Sequence, residues 1–264
     1  MEFPFTSTIA IAHRGAHDAE HPENSLVAVE RAVKLGASAV EFDVCNLRDG
    51  ELVVSHDNRI KANDVWVDLP TAASTDLERR LVYPGLPRVE PFLEVVANSN
   101  LLLNFDWKGL GAEYRIGDLL ASYHLIERTI VSSTNAGALV RLKQVYPQVT
   151  TGLSLPASSG SFTEPASSES ARHLRYPRAR LPVSVRALIR GGYVDLLMVD
   201  HRAVSREVVA AVRGEDLGLF LWTARDVATF ESLLRFAPDG IATDDIDQQL
   251  RYPSGRSKPR SFVR

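Results

Sequence analysis

The sequence predicts an α/β protein built as a single (β/α)8 TIM barrel. Apolar runs of strand length recur along its 264 residues, and most are followed by a stretch with helical periodicity. Strands that alternate with helices form parallel sheets, because parallel strands need a crossover connection. Eight such units in one chain favour a closed barrel, which needs roughly 250 residues, over an open doubly wound sheet. The predicted strands are residues 9–12, 39–44, 101–107, 129–132, 151–155, 196–199, 219–222 and 240–243.

The helices between these strands are predicted from their apolar faces. In residues 25–35, Leu26, Val29, Ala32 and Val33 share one face, and Gly36 supplies a C-terminal cap. Similar patterns predict further helices, at residues 139–146, 205–213 and 227–236.

Three segments lie outside the simple alternation. Residues 52–55 form another strand-like run after a turn at residues 48–50, which predicts a small hairpin extension after strand 2. Residues 156–182 are rich in Ser, Pro and Ala and are expected to form a mobile loop after strand 5. Residues 251–264 carry five Lys or Arg and no acid, which predicts a flexible basic tail after a catalytic domain of residues 1–250.

Composition and charge exclude several classes of protein. A net charge of −3 provides no global basic field for nucleic acid, and no apolar run approaches the roughly 20 residues of a transmembrane helix. The single cysteine excludes an internal disulfide framework. Because the first residues do not resemble a secretory signal, a cytoplasmic location is expected.

Polar side chains interrupt the second and third strands near their C-terminal ends, where barrel enzymes place catalytic groups. Glu41 and Asp43 are two residues apart and therefore project from the same side of the second strand. Asp106 belongs to a similar polar face on the third strand, together with Asn104 and Lys108. Three carboxylates suit one hard divalent cation, Mg²⁺ or Ca²⁺. Taken singly, each acid is more often a solvated loop residue, but their shared position favours a metal site.

Two histidines stand beside charged residues at strand ends. His13 precedes Arg14 at the end of the first strand, and His56 precedes an aspartate after residues 52–55. Either histidine could be structural, although the pattern favours chemistry.

These residues form motifs that resemble the glycerophosphodiester phosphodiesterase family, whose barrel is like that of phosphatidylinositol phospholipase C. The resemblance runs in order through residues 9–246. It rests on HRG at 13–15, PENS at 22–25, EFDV at 41–44, RDGELVVSHD at 48–57, NFDWK at 104–108, LFLWTARD at 219–226 and PDGIATDD at 238–245.

The resemblance implies hydrolysis of glycerophosphodiesters to glycerol 3-phosphate and an alcohol. It implies an acid–base pair of His13 and His56, with Arg14 as a phosphate contact. The resemblance further implies that Glu41, Asp43 and Asp106 are metal ligands. It also implies that Lys108 neutralises the charge of the phosphate and that Trp222 lines the substrate pocket. The expected partner is a small glycerophosphodiester or a lysolipid.

The chain departs from the family pattern at Asp106, where a glutamate is usual. An aspartate there is similar to the sphingomyelinase D branch of the same superfamily, so a lysophospholipase D or sphingomyelinase-D-like enzyme forming a cyclic phosphate is the alternative. A second alternative is a weakly active barrel that binds phosphate esters. The retention of both His13 and His56 beside the carboxylates favours an active phosphodiesterase.

Overall fold

Eleven strands form the framework of the part of the chain that the structure, a computed structural model, describes: residues 8–80, 86–155, 181 and 183–250. They are β1 Ile9–Ala12, β2 Ala39–Asn46, β3 Leu52–Val54, β4 Arg59–Ala62, β5 Val65–Asp68, β6 Leu102–Trp107, β7 Thr129–Ser133, β8 Thr150–Leu155, β9 Leu196–Asp200, β10 Gly218–Ala224 and β11 Gly240–Thr243.

Eight of these strands close into a parallel barrel. Their order around the wall is β1, β11, β10, β9, β8, β7, β6 and β2. The wall closes where β1 pairs with β2, with Ile11 opposite Ala39. Each predicted strand corresponds to one of these eight, so the predicted (β/α)8 barrel is confirmed.

Helices cover the outside of the barrel and alternate with its strands. They are α1 Leu26–Leu35, α2 Ser74–Arg80, α3 Glu90–Ala97, α4 Glu113–Ser122, α5 Ala136–Val145, α6 Val183–Arg190, α7 Arg206–Gly214, α8 Val227–Leu234 and α9 Ile246–Gln249. The boundaries of α1 follow from its caps, because the Ser25 side chain accepts a hydrogen bond from the Ala28 amide and Gly36 has a φ of 74°.

Alternation along each strand separates the barrel interior from the layer between strands and helices. Phe42, Phe105 and Trp107 point outward and are buried in the larger core under the helices. The interior is filled by apolar side chains, which include Ile11, Ala39, Leu102, Ile130, Met198 and Phe220. Because this packing fills the barrel, the inward-facing polar residues further along the strands are left at its C-terminal mouth.

The predicted hairpin extension is present, since β3 pairs antiparallel with β2. A second antiparallel pair, β4 with β5, follows it and was not predicted. The predicted loop at 156–182 lies outside the described residues except for residue 181, and the predicted tail at 251–264 lies entirely outside them. Within the described ranges, no helix has the length and apolar character needed to cross a membrane.

Candidate active site

The first loop of the mouth is held between β2 and α1 by its backbone. The Gly15 amide donates to the Glu41 carbonyl at 3.0 Å, and the Ala16 amide donates to the Ala28 carbonyl at 2.9 Å. Gly15 has a φ of 84°, and a Cβ at this position would lie 2.7 Å from the Cβ of Ala28. Only glycine fits so close to α1 in this conformation, and it directs His13 and Arg14 toward the mouth.

The three predicted carboxylates converge. Glu41, Asp43 and Asp106 each offer one oxygen, and these oxygens lie within 4.8 Å of one another. Strand register explains this convergence, because Asp43 is directly opposite Asp106 in the β2–β6 pair. Glu41 and Asp43 are buried, while the Asp106 side chain is 17% exposed.

Two basic side chains contact the carboxylate group. Lys108 Nζ lies 2.7 Å from Asp43 Oδ1 and also contacts Asp106 Oδ2. Arg14 Nε lies 3.2 Å from the other oxygen of Asp43, and the Arg14 amide donates to Glu41 Oε2 at 2.7 Å. The predicted carboxylates, Arg14 and Lys108 therefore form one connected cluster.

The pKa values of these groups move in opposite directions. Burial raises the pKa of Glu41 well above its ordinary value, and the negative charges of Asp43 and Asp106 raise it further. Burial also acts to raise the pKa of Asp43, but the charges of Lys108, Arg14 and His56 outweigh it and hold that pKa below its ordinary range. Glu41 is thus the carboxylate that an added cation would relieve most.

Two residues that hold the carboxylates were missed by the sequence analysis. Asn24 Nδ2 donates to Asp43 Oδ2 at 2.7 Å, and the Asp43 amide donates back to Asn24 Oδ1 at 3.0 Å. Ser132 Oγ donates to Asp106 Oδ1 at 2.6 Å. The polar Ser132 at the end of β7 was a signal of the same kind as Asp106, because the two are in register.

His13 is oriented by an aspartate from the last strand–helix connection. Its Nδ1 lies 2.6 Å from Asp244 Oδ1, and its Nε2 lies 3.9 Å from Glu41 Oε2. Burial acts to raise the pKa of Asp244, but the hydrogen bonds from His13 and His17 lower it below its ordinary range. Asp244 is therefore ionised and accepts the proton of His13 Nδ1, which leaves Nε2 on the side of Glu41.

His56 reaches the same end of the barrel through the hairpin extension. The β3 strand runs back along β2, so that the Ser55 amide donates to the Asp43 carbonyl at 3.1 Å. The His56 side chain is 39% exposed, and its Nδ1 lies 2.8 Å from Asp57 Oδ1. His56 is thus more open to solvent than His13, whose side chain is 17% exposed.

Trp222 lies near the end of β10 and packs on the apolar interior of the barrel. Its indole Nε1 donates to the Met198 carbonyl at 3.0 Å, which fixes the ring. The residue is only partly buried, so the ring presents an apolar surface at the mouth.

The model of the glycerophosphoryl diester phosphodiesterase family matches residues 13–108. This range contains every predicted site residue except Trp222. A glycerophosphodiester phosphodiesterase from Caldanaerobacter subterraneus is 27% identical over 254 residues, which cover 90% of this chain and 94% of that relative. The chain is therefore similar to glycerophosphoryl diester phosphodiesterases along most of its length. Members of this family are phosphoric diester hydrolases.

Solved structures of similar proteins share the fold of this chain. An Oleispira antarctica phosphodiesterase, in complex with the product sn-glycerol-3-phosphate, superposes with a TM-score of 0.70 at 18% identity and covers 93% of this chain and 97% of its own. A glycerophosphodiester phosphodiesterase from Parabacteroides distasonis gives a TM-score of 0.70 at 21% identity, covering 93% and 95%.

Proposed function

We propose that this enzyme hydrolyses glycerophosphodiesters to glycerol 3-phosphate and an alcohol. The observation that carries the proposal is the convergence of three carboxylates, two basic side chains and His13 at the mouth of the barrel. The similarity to proteins named glycerophosphodiester phosphodiesterases supports the same activity. The complex of the Oleispira antarctica phosphodiesterase with sn-glycerol-3-phosphate supports the identity of the product.

Glu41, Asp43 and Asp106 would hold one divalent cation, Mg²⁺ or Ca²⁺. Their donor set fits, since both ions prefer oxygen ligands at about 2.0–2.6 Å. Oxygens around such an ion are separated by at most about twice that bond length, so a spread within 4.8 Å is compatible. When bound, the cation supplies positive charge that stabilises the phosphoryl oxygens as negative charge develops on them.

Arg14, Lys108 and Trp222 would bind and orient the substrate. A phosphodiester monoanion repels an attacking oxygen, so positive charge at the phosphoryl group lowers the barrier. Arg14 is held from both sides, by Asp43 and by Glu23, whose Oε2 accepts from Arg14 Nη1 at 2.9 Å. Trp222 would contact the apolar part of the substrate.

His13 and His56 would move the two protons of the reaction. One accepts a proton from the attacking oxygen, either of water or of the substrate's own glycerol hydroxyl, and the other donates a proton to the leaving alkoxide. If the glycerol hydroxyl attacks first, a cyclic phosphate forms and water opens it in a second step. Asp244 acts as a positioning residue, because its hydrogen bond holds His13 Nδ1 and leaves Nε2 for proton transfer.

A turnover panel tests this function. Purified enzyme is assayed with glycerophosphocholine, glycerophosphoethanolamine, lysophosphatidylcholine and sphingomyelin, each with Mg²⁺, with Ca²⁺ and with excess chelator. We expect glycerol 3-phosphate from the two glycerophosphodiesters, loss of activity in chelator, and recovery when either ion is restored. Preferred release of choline from lysophosphatidylcholine or sphingomyelin would support the phospholipase D alternative. Binding without turnover would support the weakly active barrel, and full activity in chelator would contradict the metal assignment.

A further inference from the structure

A second group of metal-ligating side chains lies beside the carboxylate cluster. One ring nitrogen of His13, one ring nitrogen of His17 and one oxygen of Asp244 all lie within 4.8 Å of one another. The Asp244 oxygen is shared, at 2.6 Å from His13 Nδ1 and 3.4 Å from His17 Nε2. No sequence pattern links these residues, because Asp244 follows His13 by 231 positions.

The donor atoms of this group differ in kind from those of the carboxylate cluster. Two imidazole nitrogens and one carboxylate oxygen suit Zn²⁺ and similar borderline ions, whereas three carboxylates suit Mg²⁺ or Ca²⁺. Tetrahedral bonds of about 2.0–2.2 Å separate their ligand atoms by roughly 3.4 Å, which equals the 3.4 Å between His17 Nε2 and Asp244 Oδ1. The contact between His13 and Asp244 would lengthen by slightly less than one ångström.

The group is also accessible and suitably charged. The side chains of His13, His17 and Asp244 are 17%, 23% and 28% exposed, so an ion can reach them from solvent. The Asp244 carboxylate supplies the negative charge of the group. Three ligands leave a fourth position for water.

We propose that His13, His17 and Asp244 form a second metal site, that this site takes Zn²⁺ or a similar borderline ion, and that its occupation inhibits the enzyme. The inhibition rests on the proposed role of His13, whereas the binding does not. An ion on His13 Nδ1 occupies the lone pair of that nitrogen and replaces the hydrogen bond to Asp244. The single proton of the neutral ring then resides on Nε2, so that Nε2 cannot accept a proton from an attacking oxygen.

Direct binding measurements on tag-free enzyme test the site. Isothermal titration with Zn²⁺ in saturating Mg²⁺ reports the additional ion, and the visible absorption of Co²⁺ reports its coordination. His17→Ala and His17→Gln remove one ligand, and Gln keeps a polar side chain in case Ala disturbs the loop. His21→Ala is the matched control, because His21 lies in the same loop and pairs with Asp18 instead. Asp106→Asn disables the carboxylate cluster alone.

We expect one additional Zn²⁺ in the wild type, in His21→Ala and in Asp106→Asn, with affinity at least about tenfold weaker in both His17 variants. Mutating a residue that only supports a metal ligand usually weakens metal affinity by about 10–100-fold. Removing a ligand itself should therefore cost at least about tenfold. Equal affinity in wild type and the His17 variants would overturn the site, as would loss of the additional ion in Asp106→Asn.

The inhibition is measured as the ratio of rates with and without Zn²⁺ for each variant. That ratio should rise toward one in the His17 variants and remain at the wild-type value in His21→Ala. Binding through His17 without any change in rate would overturn the inhibition and leave the site. An enzyme that hydrolyses no glycerophosphodiester would contradict the proposed function, and the Co²⁺ spectrum would still report on the site.

Discussion

Replacing Asp106 with Glu tests whether the site is built around the shorter carboxylate. Both oxygens of Asp106 already have partners, Ser132 Oγ at 2.6 Å from Oδ1 and Lys108 at Oδ2. The added methylene moves the carboxylate outward by about 1.5 Å, one carbon–carbon bond. The longer side chain then cannot keep its bond to Ser132 without displacing Lys108 toward Asp43.

The expected loss can be worked from these contacts. A hydrogen bond to a charged group contributes about 1.5–3 kcal/mol. Losing one of the two partners of Asp106 should therefore cost about 2 kcal/mol, which corresponds to about a thirtyfold fall in kcat/KM at roughly 1.4 kcal/mol per factor of ten. The fall should be larger with Mg²⁺ than with Ca²⁺, because Ca²⁺ tolerates irregular coordination.

The assay is kcat/KM for a glycerophosphodiester, titrated with each ion, for wild type and Asp106→Glu. Asp76→Glu is the matched control, because the Asp76 side chain on α2 is 45% exposed and lies 3.7 Å from its partner Arg48. This control should behave as the wild type does.

A double-mutant cycle with Ser132→Ala then tests the cause. Ser132→Ala should reduce kcat/KM in the wild-type background and have little further effect when residue 106 is Glu, because the bond is already lost. A clear gain of Asp106→Glu with Mg²⁺ would refute the reasoning, since it would show that the shorter side chain is a tolerated defect. Equal effects of Ser132→Ala in both backgrounds would refute the proposed role of the serine.

Three further predictions follow from the geometry. His13→Ala and His56→Ala should each lower kcat by about 100-fold or more, with a combined loss far from additive, as initial rates of the single and double variants will show. The hydrogen bond to Asp244 raises the pKa of His17 above 6.5, so this side chain stabilises the fold below about that pH and the contribution disappears as pH rises through the raised value. His17→Gln should therefore lower the free energy of unfolding in urea at about pH 5.5 more than at about pH 9, and an equal loss at both would contradict the sign. Asn104 is buried, and its Oδ1 has no hydrogen-bond partner among the described residues. Asn104→Leu should therefore raise the free energy of unfolding by about 1 kcal/mol and lower kcat/KM. A lower free energy of unfolding in this variant would contradict the prediction.

The barrel strands were predictable because they are apolar on both faces. In β1 and β9 every residue is buried. Such strands appear in the sequence as short continuous apolar runs, which are easily recognised. The β4–β5 pair was not predictable in this way. Its strand β4 has two exposed residues in four, Arg59 and Lys61, and gains its order from packing of Ile60 and Ala62 on a small separate cluster. Such contacts leave no clear pattern in the sequence.

The residues of the candidate site also differ in how well the sequence predicts them. Glu41, Asp43 and Asp106 were predictable, because each is a polar residue on an otherwise apolar strand. The residues that hold and orient the site were missed. Asn24 is 19 positions from Asp43, and Asp244 is 231 positions from His13, so only the folded barrel brings these pairs together. Asn24 was also ambiguous in sequence, since an asparagine before a helix usually indicates a cap.

The charge balance of the cluster suggests why a cation and the substrate should bind in a fixed order. Glu41, Asp43 and Asp106 provide three negative charges, and Arg14 and Lys108 provide two positive ones, which leaves the cluster net negative when all are ionised. A phosphodiester monoanion is repelled by such a site. One divalent cation would reverse the sign, and the substrate would then complete neutrality. The raised pKa of Glu41 is consistent with this, because protonation of this buried carboxylate is the other way to reduce the excess charge. Substrate affinity should therefore depend on the cation even in variants of His13 that cannot turn over.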